Sequence, residues 1–187
     1  MKRVIALFAC VFAVSVASAQ NEFEKGVTRI NLGVGVGGST FGEGYSTTVP
    51  PIAASAEWGV VDELFDAEAC SLGVGGYLGY TAAKYKYAGV NYGYNVSGVI
   101  IGARSAIHYQ FNVKKLDTYG GLMVGYNIAS AKAYGNWGNT PTTNLSVGGF
   151  SWSLYFGANY RFTEKLGAFA ELGYGISYLT LGLSLKL

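Results

Sequence analysis

The feature that most constrains this chain is a two-residue alternation running through its last 42 residues, Ser146 to Leu187. From Phe150 the even positions read Phe150, Trp152, Leu154, Phe156, Ala158, Tyr160 and Phe162, with Ser151, Ser153, Gly157 and Asn159 among the residues between. After Thr163-Glu164-Lys165-Leu166 a second run sets Ala168, Ala170, Leu172 and Tyr174 against Gly167, Phe169, Glu171 and Gly173. The end alternates Leu179, Leu181, Leu183, Leu185 and Leu187 with Thr180, Gly182, Ser184 and Lys186. A period of two marks a strand with two unlike faces. A soluble sheet buries its large residues and shows charge to water. Here the large face is broad and the other is small and polar, the arrangement of a strand with lipid outside and a tight polar lumen inside.

The rest of the chain agrees. It is 50% hydrophobic yet only 13% charged, with 28 Gly and 15 Tyr, whereas a soluble domain is about a quarter charged. Lys2 and Arg3, the apolar run Val4–Val16 and the small residues Ala17-Ser18-Ala19 read as a secretory signal peptide over 1–19. A lipoprotein leader ending at Cys10 would have too short an apolar stretch. The mature part, 20–187, is then one domain, formally neutral and without a basic footprint for nucleic acid. It keeps one cysteine, Cys70, so no internal disulfide forms. No later run is long enough for a spanning helix. An exported apolar chain of that kind satisfies its backbone in a membrane only as a closed barrel.

Eight segments with a large apolar outward face are expected: 28–38, 51–60, 70–82, 96–111, 118–129 and the three C-terminal runs. Between them, 39–49, 83–95 and 130–145 read as long polar loops, while 61–69 and 112–117 read as short charged turns. Membrane barrels of bacteria have short periplasmic turns and longer outer loops, so both termini are expected to be periplasmic.

The ending Thr180-Leu181-Gly182-Leu183-Ser184-Leu185-Lys186-Leu187 resembles the assembly signal of the small eight-stranded outer-membrane barrels of Gram-negative bacteria, the OmpX and OmpA-transmembrane-domain type. Thr180, Gly182, Leu185 and Leu187 carry the match, although the family usually ends on an aromatic. The resemblance implies an all-β, antiparallel, up-and-down transmembrane barrel in the outer membrane. Its implied partners are outer-membrane lipid, the barrel-insertion machinery and a surface ligand reached through 39–49, 83–95 and 130–145.

Candidate residues follow from strand parity. Glu57, Arg104, His108, Arg161, Glu171 and Lys186 fall on the inward face and form an expected lumen charge cluster, with Arg104 paired to Glu57 or Glu171. Trp58, Tyr109, Phe111, Tyr160 and Phe162 lie outward near one end, and Tyr80, Tyr126 and Tyr174 near the other, as aromatic girdles. The run Gly33-Val34-Gly35-Val36-Gly37-Gly38 matches G-x-G-x-x-G but opens no helix, so it reads as lumen glycine rather than a dinucleotide site. One His and one mature Cys support neither a metal site nor a cofactor. A lipid-modifying enzyme would need His108 beside Ser105, and the two have opposite parity. Tyr77, Tyr119, Met123, Tyr155 and Phe169 add bulk inward, which favours a packed lumen over a conduit. The expected role is structural or in surface contact, with Tyr85, Tyr87, Tyr92, Tyr94, Tyr134 and Trp137 meeting Lys84, Lys86 and Lys132 in the loops.

Overall fold

A computed structural model describes residues 22–38, 44–87, 92–111, 113–135, 144–174 and 177–187. The expected signal peptide at 1–19 and loop residue Trp137 lie outside them. The described residues form eight strands: β1 (Thr28–Val36), β2 (Tyr45–Val61), β3 (Cys70–Lys86), β4 (Tyr92–Tyr109), β5 (Leu116–Gly135), β6 (Leu145–Arg161), β7 (Leu166–Gly173) and β8 (Leu179–Lys186). Each pairs antiparallel with its neighbours in sequence, and β1 pairs with β8 to close the ring. Closure leaves no edge through the middle of the sheet, which apolar surroundings require. The Leu187 amide donates to the Thr28 carbonyl at 2.9 Å, so the start of β1 and the residue after β8 meet at the seam.

The alternation sorts the two faces. Leu32, Val34, Leu78, Ile101, Leu122, Leu154, Phe156, Leu172, Leu181 and Leu183 are exposed on the outside. Asn31, Ser55, Glu57, Arg104, His108, Asn159, Thr180 and Ser184 are buried inside. An interior of this size is filled by side chains, and the register shows how. Tyr119 lies opposite Gly157, and Tyr155 opposite Gly121. Tyr77 lies opposite Gly102, and Phe169 opposite Gly182. A Cβ at Gly157 would strike the Tyr119 ring, and one at Gly121 the Tyr155 ring. Bulk on one strand thus occupies space its neighbour leaves empty.

The strands are far from equal. β7 and β8 have 8 residues each and β1 has 9, close to the 9–11 or so a tilted strand needs to span a bilayer. β5 has 20 residues, about 65 Å of chain at about 3.3 Å each, so about half of it lies beyond such a band. The three expected long loops are corrected accordingly. β2 begins at Tyr45 rather than near Pro51, β3 continues to Lys86, β4 starts at Tyr92, and β5 runs on to Gly135. β3 and β4 stay in register up to Lys86↔Gly93, and β4 and β5 up to Tyr92↔Gly135. The physical reason is a change of surroundings along one strand. Past the apolar band a strand no longer needs large residues outside, so a pattern of large outward residues ends while the hydrogen-bond ladder continues. Pro50 and Pro51 fit the same picture, because β1–β2 pairing stops at Val34↔Ile52 and β2 is bulged against β3 there. At the opposite end β4 stops at Tyr109 rather than Phe111, and β5 takes in Leu116 and Asp117 from the expected turn.

The barrel therefore has a raised wall of β2–β6 on one side and a low rim of β7, β8 and β1 on the other. β6 meets β7 only from Tyr155↔Gly173 downward, so its first residues are paired on the β5 side alone.

Candidate functional site

Two places in this barrel concentrate chemistry: the lower lumen and the raised wall. In the lumen, Arg104 Nη2 donates to Glu171 at 2.8 Å and Nε to the Tyr155 hydroxyl at 3.0 Å. Its guanidinium also lies over the Tyr155 ring, 3.9 Å from the centroid. Glu57 is 3.8 Å from Arg104, but its shorter contact is with His108, at 2.8 Å from Nε2. The other ring nitrogen of His108 lies 2.8 Å from Asp117, which Arg29 also pairs. Carboxylates only accept, so a ring protonated at both nitrogens matches this setting. Tyr119 donates to Glu171 at 3.2 Å and joins the two halves. Arg29, Arg104 and an imidazolium at His108 balance Glu57, Asp117 and Glu171, the condition for burying so much charge.

Below this network the chain before β1 folds back into the barrel mouth. Phe23 stacks on His108 with centroids 3.9 Å apart, and the Arg29 guanidinium lies over the Phe23 ring, 4.8 Å from its centroid. Ser71 donates to the Phe23 carbonyl at 2.7 Å, and Gly26 and Gly59 exchange backbone bonds with this segment. Glu22 is held by Arg161, and Lys186 donates to the Glu22 carbonyl at 3.0 Å. Arg161 and Lys186 therefore sit at the mouth around Glu22, apart from Arg104.

Parity alone singles out Glu57, Arg104, His108, Arg161, Glu171 and Lys186; the structure brings Glu57, Arg104, His108 and Glu171 together and sets Arg161 and Lys186 apart around Glu22. Arg29, Asp117, Glu22 and Phe23 complete the network and were not among the candidates. Arg29 has the inward parity of Asn31 and was readable in principle. Asp117 looks like turn charge, and Glu22 and Phe23 precede any periodic segment. Trp58, Tyr109, Phe111, Tyr160 and Phe162 are exposed on the outside toward this mouth, and Tyr80, Tyr126 and Tyr174 toward the other end. Ser105, on the outer side, donates to the Gly73 carbonyl at 3.1 Å, while His108 is enclosed by carboxylates. They do not form a nucleophile–base pair. Among the described residues no group of His, Cys, Asp and Glu has the arrangement of a metal site.

The raised wall separates residues that the sequence places side by side. Lys84, Asn95 and Lys132 are register partners on its outer face, with Lys86, Gly93 and Tyr134 one row higher. Lys84 Nζ lies 3.9 Å from the centroid of the Tyr134 ring. The inner face carries Ala83, Tyr85, Tyr94, Val96, Ala129, Ala131, Ala133 and Val147. The rings of Tyr45, Tyr85, Tyr87 and Tyr92 touch in sequence, at 5.1, 5.1 and 5.7 Å between centroids. Below the rim the barrel is apolar outside and polar inside. Along the wall this is reversed.

The chain aligns with Ail, the attachment invasion locus protein of Yersinia pestis, in complex with the heparin analogue sucrose octasulfate. The TM-score is 0.52 at 12% identity, over 87% of this chain and 99% of that one. The fold is that of a small outer-membrane barrel. The N-terminal barrel domain of Pseudomonas aeruginosa OprF aligns at TM-score 0.49 and 15% identity, over 88% of this chain and 98% of that one. Neisserial surface protein A aligns at 0.42 and 13%, over 86% and 94%. No protein-family model matches the sequence, and no curated protein matches it. The likeness is one of architecture.

Proposed function

We propose that this chain is an outer-membrane barrel with a closed lumen that acts in surface contact through its raised wall. The observation that carries this reading is the wall itself, five strands prolonged beyond the low rim with a row of contacting tyrosines inside. Aromatic residues give large contact area at low entropic cost, and contact surfaces are enriched in them. The Ail structure supports the same direction, since a barrel of this fold there holds a ligand. Both termini are periplasmic in this reading, and the wall faces outward. Outer-membrane lipid and the insertion machinery, the latter through Thr180, Gly182, Leu185 and Leu187, are the other partners. Neither a catalytic role nor a cofactor is assigned.

The test is to replace 83–95 and 130–145 with short Gly/Ser turns, cutting the wall down toward the level of β7 and β8. Both proteins should fractionate with outer membranes and migrate differently when boiled, because a closed ladder resists detergent. Cells carrying the shortened barrel should lose the adhesion or aggregation conferred by the full one. Adhesion that is unchanged after trimming would sink the surface role. Solute uptake that survives trimming but fails in an Arg104 variant would establish a conduit instead.

A further inference from the structure

The outer face of the wall points where the lipid-facing residues point, yet its chemistry is opposite. Up the outside of β4 and β5 the rows run from Val99 and Ile128 through Ser97 and Ser130 to Asn95 and Lys132, with Lys84 beside them on β3. The change from aliphatic to hydroxyl to ammonium takes place within four residues of one strand. Tyr80, in the Val99 row, and Tyr126, one row lower, mark the interface just beneath. Lys86 and Lys132 are exposed, and Lys84 is half-buried against Tyr134. Among the described residues none of these lysines has a carboxylate partner. The described acids are either in the lumen or at the mouth and turns of the opposite end.

We propose that Lys84, Lys86 and Lys132 hold phosphate groups of outer-leaflet lipid headgroups against the outer face of the wall. The inference rests on the outer-membrane reading. Lys84 and Lys132 are two strands apart, about 10 Å, and Lys84 and Lys86 two residues apart, about 7 Å. Such a triangle suits a headgroup carrying more than one phosphate better than a single ion. The cation–π contact keeps Lys84 in place; Asn95 is its register partner, and Ser97, Ser130 and Ser146 form a hydroxyl row just beneath, with Ser130 and Ser146 3.2 Å apart. Lysines at a membrane surface commonly reach along the protein toward the headgroups. The outer face would then fix the wall's height in the leaflet while the inner face remains available to a surface ligand.

The experiment uses the full barrel in phosphatidylcholine nanodiscs with and without lipid A, a bisphosphorylated glycolipid. Native mass spectrometry should show lipid A retained by the wild type. A triple variant, Lys84→Gln, Lys86→Gln and Lys132→Gln, should lose roughly a hundredfold in retention, from about fivefold per lysine at an anionic surface. A control triple, Lys25→Gln, Lys114→Gln and Lys165→Gln, changes net charge equally at the other end and should lose little. Each protein must keep its boiled-versus-unboiled shift, which separates lost binding from lost folding. Equal loss in both triples would overturn the proposal, as would wild-type retention no better than that of the wall triple. Sucrose octasulfate that binds through the same lysines while lipid A does not would replace the headgroup by a soluble polyanion. Failure to enter either nanodisc would overturn the membrane reading itself, whereas insertion without lipid A selectivity overturns only this inference.

Discussion

Arg104 carries the largest consequence of any side chain in the lumen. It is 4% exposed, and its partners come from β2, β6 and β7, so one side chain links three distant parts of the ring. Arg104→Ala leaves Glu171 without its cation and the Tyr155 hydroxyl without the N–H that donates to it. Breaking a buried pair from one side costs about 3–5 kcal/mol, and water admitted to the lumen would lower that figure. Equilibrium unfolding in urea from lipid vesicles should show the loss, and a change below about 1 kcal/mol would mean the pair is solvated. At this scale the sequence is readable where periodicity is strict. Parity put Glu57, Arg104, His108 and Glu171 on one face, but it is silent about distance, so Glu57 meeting His108 more closely than Arg104 appears only in three dimensions. Phe23 was not legible because nothing periodic fixes a segment lying across the barrel mouth.

Among the elements, β4 combines every environment in 18 residues. Its outward row passes from Tyr109 and Ile107 through Ile101 and Val99 to Ser97 and Asn95. An arginine on the lipid face costs about 2–4 kcal/mol at mid-depth and about 0–1 near the interface. Ile101→Arg should therefore destabilise by the larger amount and Ser97→Arg by the smaller, measured side by side in the same vesicles. Equal costs would place the apolar band elsewhere on the strand. The same reasoning explains why strand cores were legible and strand ends were not. A large outward residue reports lipid rather than β-structure, so Tyr92–Asn95 and Ser130–Gly135, still laddered to their neighbours, read as loop. Tyr92, Tyr94, Ala131 and Ala133 face inward there, reversing the pattern that identifies the strand below.

In the closed-lumen reading proposed above, the described residues obstruct the axis at two levels, and this governs whether the barrel conducts. At the mouth, Phe23 packs against both His108 and Arg29, with Glu22 clamped by Arg161. Higher up, Arg104, Tyr155, Tyr119 and Glu171 form a hydrogen-bonded layer across the lumen. Water-filled porins use about 16–18 strands, and with eight the side chains meet across the axis. Two closures in series make a specific pattern of variants. The wild type should give no conductance steps in a planar bilayer. Deleting 22–27 should leave it silent, because the upper layer remains, and Arg104→Ala alone should leave it silent, because Phe23 remains. Only the combined variant should leak, and weakly, since Tyr119 still fills the space at Gly157 and Phe169 that at Gly182. Regular steps from the wild type would show that the lumen opens on its own. Steps from the deletion alone would assign the barrier to the mouth and reduce the Arg104 layer to a structural crosslink.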